Sequence, residues 1–120
     1  MDKKTIVLGA SPNPSRYSFI AINRLLAHGH TVIPIGKKKG RVNDYTIINQ
    51  PLKFEGVDTV TLYLNKQNQK EYYDYILSLH PKRIIFNPGA ENSELAELAF
   101  ENNIEPLQAC TLVLLSTNQY

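Results

Sequence analysis

The sequence predicts a single α/β domain in three layers, in which a mostly parallel five-stranded sheet carries helices on both faces. Two observations lead to this fold class. The 120 residues, 42% of them hydrophobic, suit one folded domain with a core of its own. Short apolar runs rich in β-branched residues also alternate with segments of helical periodicity, and this alternation is typical of parallel βαβ units.

Five apolar runs are predicted to form the strands. The first, residues 5–8 (TIVL), stops at Gly9, and so short an apolar run indicates a strand buried on both faces. The run at residues 30–35 (HTVIPI) similarly stops at Gly36. The remaining three strands are predicted at residues 58–64, 83–86 and 104–109.

Three helices are predicted between the strands. In the first, apolar residues recur at Phe19, Ile22 and Leu26, and Gly29 follows where a helix C-terminal glycine belongs. Asn13 is the expected N-cap of this helix, with a proline in its first turn. Asn92 or Ser93 is expected to cap the last helix. The three helices are predicted at residues 16–28, 69–79 and 93–102.

Two segments do not fit this alternation. Residues 37–57 have no clean helical period and contain Gly40, Pro51 and Gly56, so irregular structure with at most one short helical turn is expected. Residues 111–115 (TLVLL) are expected to continue the last strand as an extended tail.

Composition narrows the class of protein. The net charge is only +2, which gives no general attraction to nucleic acid or membranes. Cys110 is the single cysteine, so no disulfide can form within the chain, as is usual in a reducing compartment. We find neither a signal peptide nor a membrane-spanning run, and expect a cytoplasmic protein. The oligomeric state stays open.

The predicted topology creates a ligand site where the strands end. In open parallel sheets, ligands bind beyond the carboxyl ends of the strands, where helix N-termini attract phosphate. Gly9 permits a sharp turn after the first strand, Ser11 offers a hydroxyl and an N–H, and Arg16 can reach an anion. Residues 9–16 are therefore predicted to bind phosphate, although the dinucleotide pattern G-x-G-x-x-G is absent.

The second strand ends in the basic segment Gly36-Lys37-Lys38-Lys39-Gly40-Arg41. NAD-binding folds place a carboxylate there to hold the ribose hydroxyls, and this segment has none. Four cations favour a ribose that carries an additional phosphate, as in NADP or coenzyme A (CoA).

Other reactive residues are given lesser roles. His28, His30 and His80 lie at helix ends away from the predicted site, and no catalytic or metal role is assigned to them. Cys110 is interpreted as a packed cysteine, with reactivity as the alternative. Glu91 and Tyr63 lie close enough to strand ends to touch a ligand.

At this point the sequence resembles a known family. The motif G-A-S-x-x-P-S-R after the first strand and P-I-G-K at the end of the second resemble the small stand-alone CoA-binding proteins. These are similar to the nucleotide-binding N-terminal domain of the succinyl-CoA synthetase α subunit. Where the family often has tryptophan, glutamine and arginine, this chain has Ile85, Asn87 and Ala109, and Gly36-Lys37 replaces an asparagine-proline pair.

The resemblance implies a Rossmann-like fold that binds CoA or an acyl-CoA, with the phosphates at the first loop and the nucleotide near the second strand. The catalytic histidine of the synthetase belongs to another domain, so the resemblance implies binding without catalysis. A small NADP-binding reductase and an interaction domain without a ligand are the alternatives. The residues expected to contact the ligand are Gly9, Ala10, Ser11, Arg16, Tyr17, Ser18, Gly36, Lys37, Lys38, Asn65 and Gly89.

Overall fold

A computed structural model describes all of residues 1–120. Its main sheet has five strands, all parallel, in the order β2-β1-β5-β6-β7. The predicted α/β fold in three layers is therefore confirmed: the strands predicted at residues 5–8 and 83–86 have those bounds, and the other three are shortened by one or two residues at an end. The strands are β1 (Thr5–Leu8), β2 (Val32–Ile35), β3 (Arg41–Val42), β4 (Tyr45–Thr46), β5 (Thr59–Leu62), β6 (Arg83–Phe86) and β7 (Glu105–Gln108).

Five α-helices cover the two faces of the sheet. The helix predicted at residues 69–79 begins earlier and is divided by a 3₁₀ turn at Lys70–Tyr72. The predicted helices at residues 16–28 and 93–102 are present within a residue at each end. The helices are α1 (Tyr17–Ala27), α2 (Lys66–Gln69), α3 (Tyr73–Leu79), α4 (Ser93–Glu101) and α5 (Thr111–Ser116).

Side chains point alternately to the two faces of the sheet along each strand, so the hydrophobic core has two layers. Ile6 and Leu8 of β1 face a cluster that includes residues of α3 and α4, whereas Val7 faces a cluster with α1 and α5. The helices thus cover both faces of the central strands, so every residue of β1 and β5 is buried.

The expectation that residues 111–115 form an extended tail is wrong, because they form helix α5. Periodicity alone cannot distinguish a short apolar run in a helix from one in a strand. Tertiary contacts decide the outcome here. Thr111 and Leu115, one helical turn apart, are buried on the α1 side of the sheet. The N–H of Thr111 also donates to Oδ1 of Asn87, at 2.8 Å.

Residues 37–57 are largely irregular, as predicted, but they contain the β3–β4 hairpin and no helical turn. Asn43 has a positive φ of 60° in the two-residue turn, a position that favours asparagine. Val42 is fully buried and anchors the hairpin to the α1 side of the core. Ile48 exchanges hydrogen bonds with Pro34 and Gly36, so this segment also covers the free edge of β2.

Candidate functional site

A cleft of about 560 Å³ lies at the carboxyl end of the sheet, between the segments that follow β1, β2, β5 and β6. This is the end at which the topology predicts a ligand. All residues predicted to contact the ligand line this one cleft: Gly9, Ala10, Ser11, Arg16, Tyr17, Ser18, Gly36, Lys37, Lys38, Asn65 and Gly89.

The loop after β1 is held by its own hydrogen bonds. The N–H groups of Gly9 and Ala10 both donate to the carbonyl of Ile35, at 2.8 and 2.9 Å. The N–H of Ser11, expected to be free for a ligand, donates to Oγ of Ser18 at 3.2 Å. This stretch therefore shapes the wall of the cleft, and its N–H groups are already satisfied.

Asn13 is not the N-cap of α1, contrary to the sequence prediction. Arg16 occupies the N-cap position and makes no side-chain capping bond. The Oδ1 of Asn13 instead accepts from the N–H and Oγ of Ser15, and its carbonyl accepts from the N–H of Arg16. An asparagine that closes such a local turn cannot also reach the first turn of the helix.

The first turn of α1 supplies the free donors of this wall. Neither Tyr17 nor Ser18 has an acceptor for its backbone N–H, as is usual for the first residues of a helix. These N–H groups lie at the positive end of the helix dipole. The side chains of Arg16 and Tyr17 are exposed beside them at the cleft. The geometry is therefore suited to an anion.

The basic segment after β2 contributes fewer free cations than its sequence indicates. Nζ of Lys37 lies 2.6 Å from Oε1 of Glu71, which belongs to the 3₁₀ turn on the opposite wall. This bond raises the pKa of Lys37. The segment itself has no carboxylate, as its sequence shows, but the fold brings one to it from a distant part of the chain.

The other cations of this segment differ in position. Lys38 lines the cleft and makes no ion pair, whereas Lys39 and Arg41 lie outside it. Arg41 faces Asp44 within the β3–β4 hairpin, at 4.0 Å. Lys38 and Arg16 are therefore the cleft cations without a protein partner.

A buried glutamine fixes the wall that follows β5 and β6. Gln69, which is fully buried, donates through Nε2 to the carbonyls of Leu64 and Ala90, at 2.8 Å each. Its Oε1 accepts from Nδ2 of Asn92, the N-cap of α4. Asn65 caps α2 through the N–H of Asn68. This network joins two cleft walls. Of the two predicted caps of α4, Asn92 is the one observed, because its Oδ1 accepts from the N–H of Leu95.

The glycine after β6 is not a free donor. The N–H of Gly89 donates to Oε1 of Glu91, at 2.9 Å. Glu91 does not line the main cleft but a second one of about 500 Å³, shared with Lys66 and Gln108. The carboxylate of Glu91 consequently occupies the donor that an anion would need at this strand end.

A buried polar cluster lies beneath the cleft, between the sheet and α5. Nδ2 of Asn87 donates to Oγ1 of Thr61 at 2.6 Å and to the carbonyl of Leu62 at 2.9 Å. Thr61 and Thr111 are joined through their hydroxyls, at 2.8 Å. The hydroxyl of Tyr63 is buried near these threonines without a hydrogen-bond partner, and burial raises its pKa.

Two of the departures from the family pattern, Ile85 and Asn87, lie in this inner region. Ile85 is fully buried, and the side chain of Asn87 is committed to contacts within the protein. Cys110 is half-buried at the N-cap of α5 and does not line the cleft. Ala109 directly follows β7, and its N–H donates a hydrogen bond to the carbonyl of Phe86.

The histidines lie outside the cleft. His28 is the C-cap of α1, and His80 is the C-cap of α3 with a positive φ of 48°. Nδ1 of His30 accepts from the N–H of Lys3 at the other end of the sheet. No group of three or more His, Cys, Asp or Glu residues is placed to hold a metal ion.

Sequence reasoning missed four residues of the cleft. Three of them lie in α2 and the 3₁₀ turn, which were misplaced because this helix begins at Lys66 rather than at the predicted Gln69. The asparagine preceding it was the available signal, because asparagine is a preferred N-cap. The missed residues are Asn68, Glu71, Tyr72 and Ala90.

The fold and cleft together define a class: a Rossmann-like α/β domain with a cleft at the carboxyl end of its parallel strands. A family model described as "CoA binding domain" matches residues 3–116. The chain therefore belongs to the CoA-binding domain family. None of the curated proteins matches it significantly.

Solved structures share this architecture. An uncharacterised protein is 57% identical over 100% of this chain and 99% of its own, with a TM-score of 0.98. A hypothetical protein from Pyrococcus horikoshii OT3 is 26% identical over 92% of this chain and 80% of its own, with a TM-score of 0.80.

A larger protein contains a similar fold. The dinucleotide-forming acetyl-coenzyme A synthetase 1 of Ca. Korarchaeum cryptofilum, solved with phosphate and ADP, is 20% identical with a TM-score of 0.69. The match covers 90% of this chain but only 26% of the synthetase.

No helix of the present structure is both long and apolar enough to cross a membrane.

Proposed function

We propose that this protein binds CoA or an acyl-CoA in the main cleft without transforming it. The observation that carries the proposal is the arrangement of free donors and cations along one cleft. The N–H groups of Tyr17 and Ser18 lie at one wall together with Arg16, and Lys37 and Lys38 lie at the end of β2. Membership of the CoA-binding domain family supports this ligand.

The diphosphate is assigned to the start of α1. Two unpaired N–H groups at a helix N-terminus bind an anion through both hydrogen bonds and the helix dipole. Arg16 adds a planar guanidinium that can bind two phosphate oxygens at once. The proposed site is therefore the first turn of the helix, with the loop after β1 as a close-fitting support.

The phosphorylated ribose is assigned to the end of β2. The side chains of Lys37 and Lys38 line the cleft there, and their backbone N–H groups have no protein acceptor. CoA carries a phosphate on the ribose 3′ oxygen, whereas dephospho-CoA does not. The site should consequently prefer CoA to dephospho-CoA.

The cleft offers little for acid–base or nucleophilic chemistry. Its one carboxylate, Glu71, is ion-paired, and the three histidines and Cys110 lie outside it. Tyr63 lines the cleft, but its hydroxyl is buried beneath it, and burial raises the pKa of that group. These placements support a binding role.

Calorimetric titration with CoA, acetyl-CoA and dephospho-CoA tests the proposal. We expect CoA and acetyl-CoA to bind, and dephospho-CoA to bind about tenfold more weakly, as befits one lost charge-assisted contact at a solvent-exposed site. Absence of binding at millimolar CoA would overturn the proposal.

NADP is a second candidate ligand, favoured by the same two lysines, because its ribose also carries an additional phosphate. Titration with NADPH under the same conditions separates the two. Binding of NADPH that exceeds the binding of CoA would favour the reductase alternative, and NADPH-dependent reduction of a dye would then be sought. If neither nucleotide binds or raises the Tm, an interaction domain that has lost its ligand is favoured.

A further inference from the structure

Glu71 is the only acidic side chain that lines the main cleft. It reaches the cleft from the 3₁₀ turn Lys70–Tyr72, whereas the three cleft cations come from the segments after β1 and β2. A carboxylate among cations that face a proposed phosphate site has a direct electrostatic effect on any anionic ligand.

The carboxylate of Glu71 binds Lys37 where the phosphate of a ligand would otherwise bind it. The 2.6 Å distance from Nζ to Oε1 indicates a direct charge-assisted hydrogen bond. A ribose phosphate that engaged Lys37 would have to share this ammonium with the carboxylate or displace it. Sharing would bring two anions into contact, and the repulsion would weaken binding.

The ion pair can be broken at small cost. The side chains of Lys37 and Glu71 are 70% and 51% exposed. Exposed ion pairs contribute little to stability because water and salt screen them. Glu71 can therefore give way to a ligand phosphate without loss of the fold.

We propose that Glu71 is an internal competitor for the ligand's ribose phosphate: its carboxylate holds Lys37 in the free protein and lowers the affinity for ligands that carry this phosphate. The proposal rests on the proposed function, since it requires that Lys37 meet such a phosphate. It makes Glu71 a specificity-determining residue that narrows the preference for CoA over dephospho-CoA.

The test is the affinity of the E71Q variant for CoA and for dephospho-CoA, measured by calorimetry at one fixed ionic strength. Glutamine keeps the shape of the side chain and removes its charge. We expect CoA to bind about two- to fivefold more tightly to E71Q than to the unmodified protein, in keeping with the strength of an exposed ion pair. The affinity for dephospho-CoA should stay the same.

D44N is the matched control. It also removes one negative charge and releases a cation of the same segment, Arg41, but neither residue lines the cleft. D44N should leave both affinities unchanged. An equal gain with D44N, or an equal gain with dephospho-CoA, would show a general charge effect and overturn the proposal.

Two further outcomes are decisive. Weaker CoA binding by E71Q would mean that Glu71 positions Lys37 for the ligand, and the competitor role would be wrong while the proposed function stands. Failure of the unmodified protein and of E71Q to bind either compound would instead overturn the proposed function, and the role of Glu71 with it.

Discussion

Gly36 and Ala10 pack backbone against backbone, so closely that a Cβ on Gly36 would lie 2.1 Å from the carbonyl oxygen of Ala10. This contact joins the segment after β2 to the loop after β1. The φ of Gly36 is not positive, so the backbone conformation does not require glycine here. Glycine is required because a Cβ would not fit beside Ala10. The two walls that carry the proposed phosphate contacts are thereby held at a fixed separation.

We expect Gly36→Ala to destabilise the protein by about 1–3 kcal/mol, because the two segments must move apart. The folded fraction should also bind CoA more weakly. Urea unfolding and calorimetry measure the two effects. Gly29→Ala is the control: it adds strain of roughly 1–2 kcal/mol at a positive φ with open space around it. A Gly36→Ala protein of unchanged stability and affinity would contradict this account.

Lys38 and Lys39 are neighbours of the same chemistry, of which only Lys38 lines the cleft. Lys38→Ala should weaken CoA binding roughly tenfold through loss of one charge-assisted contact. It should change dephospho-CoA binding far less. Lys39→Ala should leave both affinities within about twofold of the unmodified protein. Equal losses in the two variants would mean that the segment acts only through its net charge.

Asn87 connects β5, β6 and α5 through three buried hydrogen bonds. Asn87→Ala should lower the free energy of unfolding by on the order of 3 kcal/mol, because several buried groups lose their partners. Chemical denaturation measures this loss. Asn102→Ala removes one exposed bond to the carbonyl of Leu98 and should cost at most about 0.5 kcal/mol. Similar values for the two variants would refute the role given to Asn87.

Stability should fall as the pH is lowered through the range in which His30 takes up a proton. Partial burial lowers the pKa of His30 below its usual 6.5, and the nearby carboxylate of Asp2 only partly offsets this effect. The unfolded chain then binds the proton more readily, so stability that is complete above pH 6.5 is lost as the pH falls toward the lower pKa of the folded state.

Urea midpoints measured between pH 7.5 and 5.5 check this expectation. The loss at the acidic end should disappear in His30→Gln and persist in His28→Gln, whose parent side chain is exposed at the C-cap of α1. A pH dependence that persists in His30→Gln would assign it to another group.

Much of this molecule could be predicted from its sequence, and two of the failures share one cause. The five strands of the main sheet, α1 and α4 follow from local periodicity, and the general place of the cleft follows from strand ends. Helix α5 and the Lys37–Glu71 pair do not, because both depend on contacts between segments distant in the chain. Local patterns show which groups a segment offers but not which of them the fold has already used, as with the N–H of Ser11.

The amide chemical shifts of the ¹⁵N-labelled protein during titration with CoA test the central claim most directly. We expect the largest changes at Tyr17 and Ser18 and at Lys37 and Lys38, whose N–H groups have no acceptor within the protein. Changes centred on Glu91 and Gln108 in the second cleft, or no changes at millimolar CoA, would contradict it.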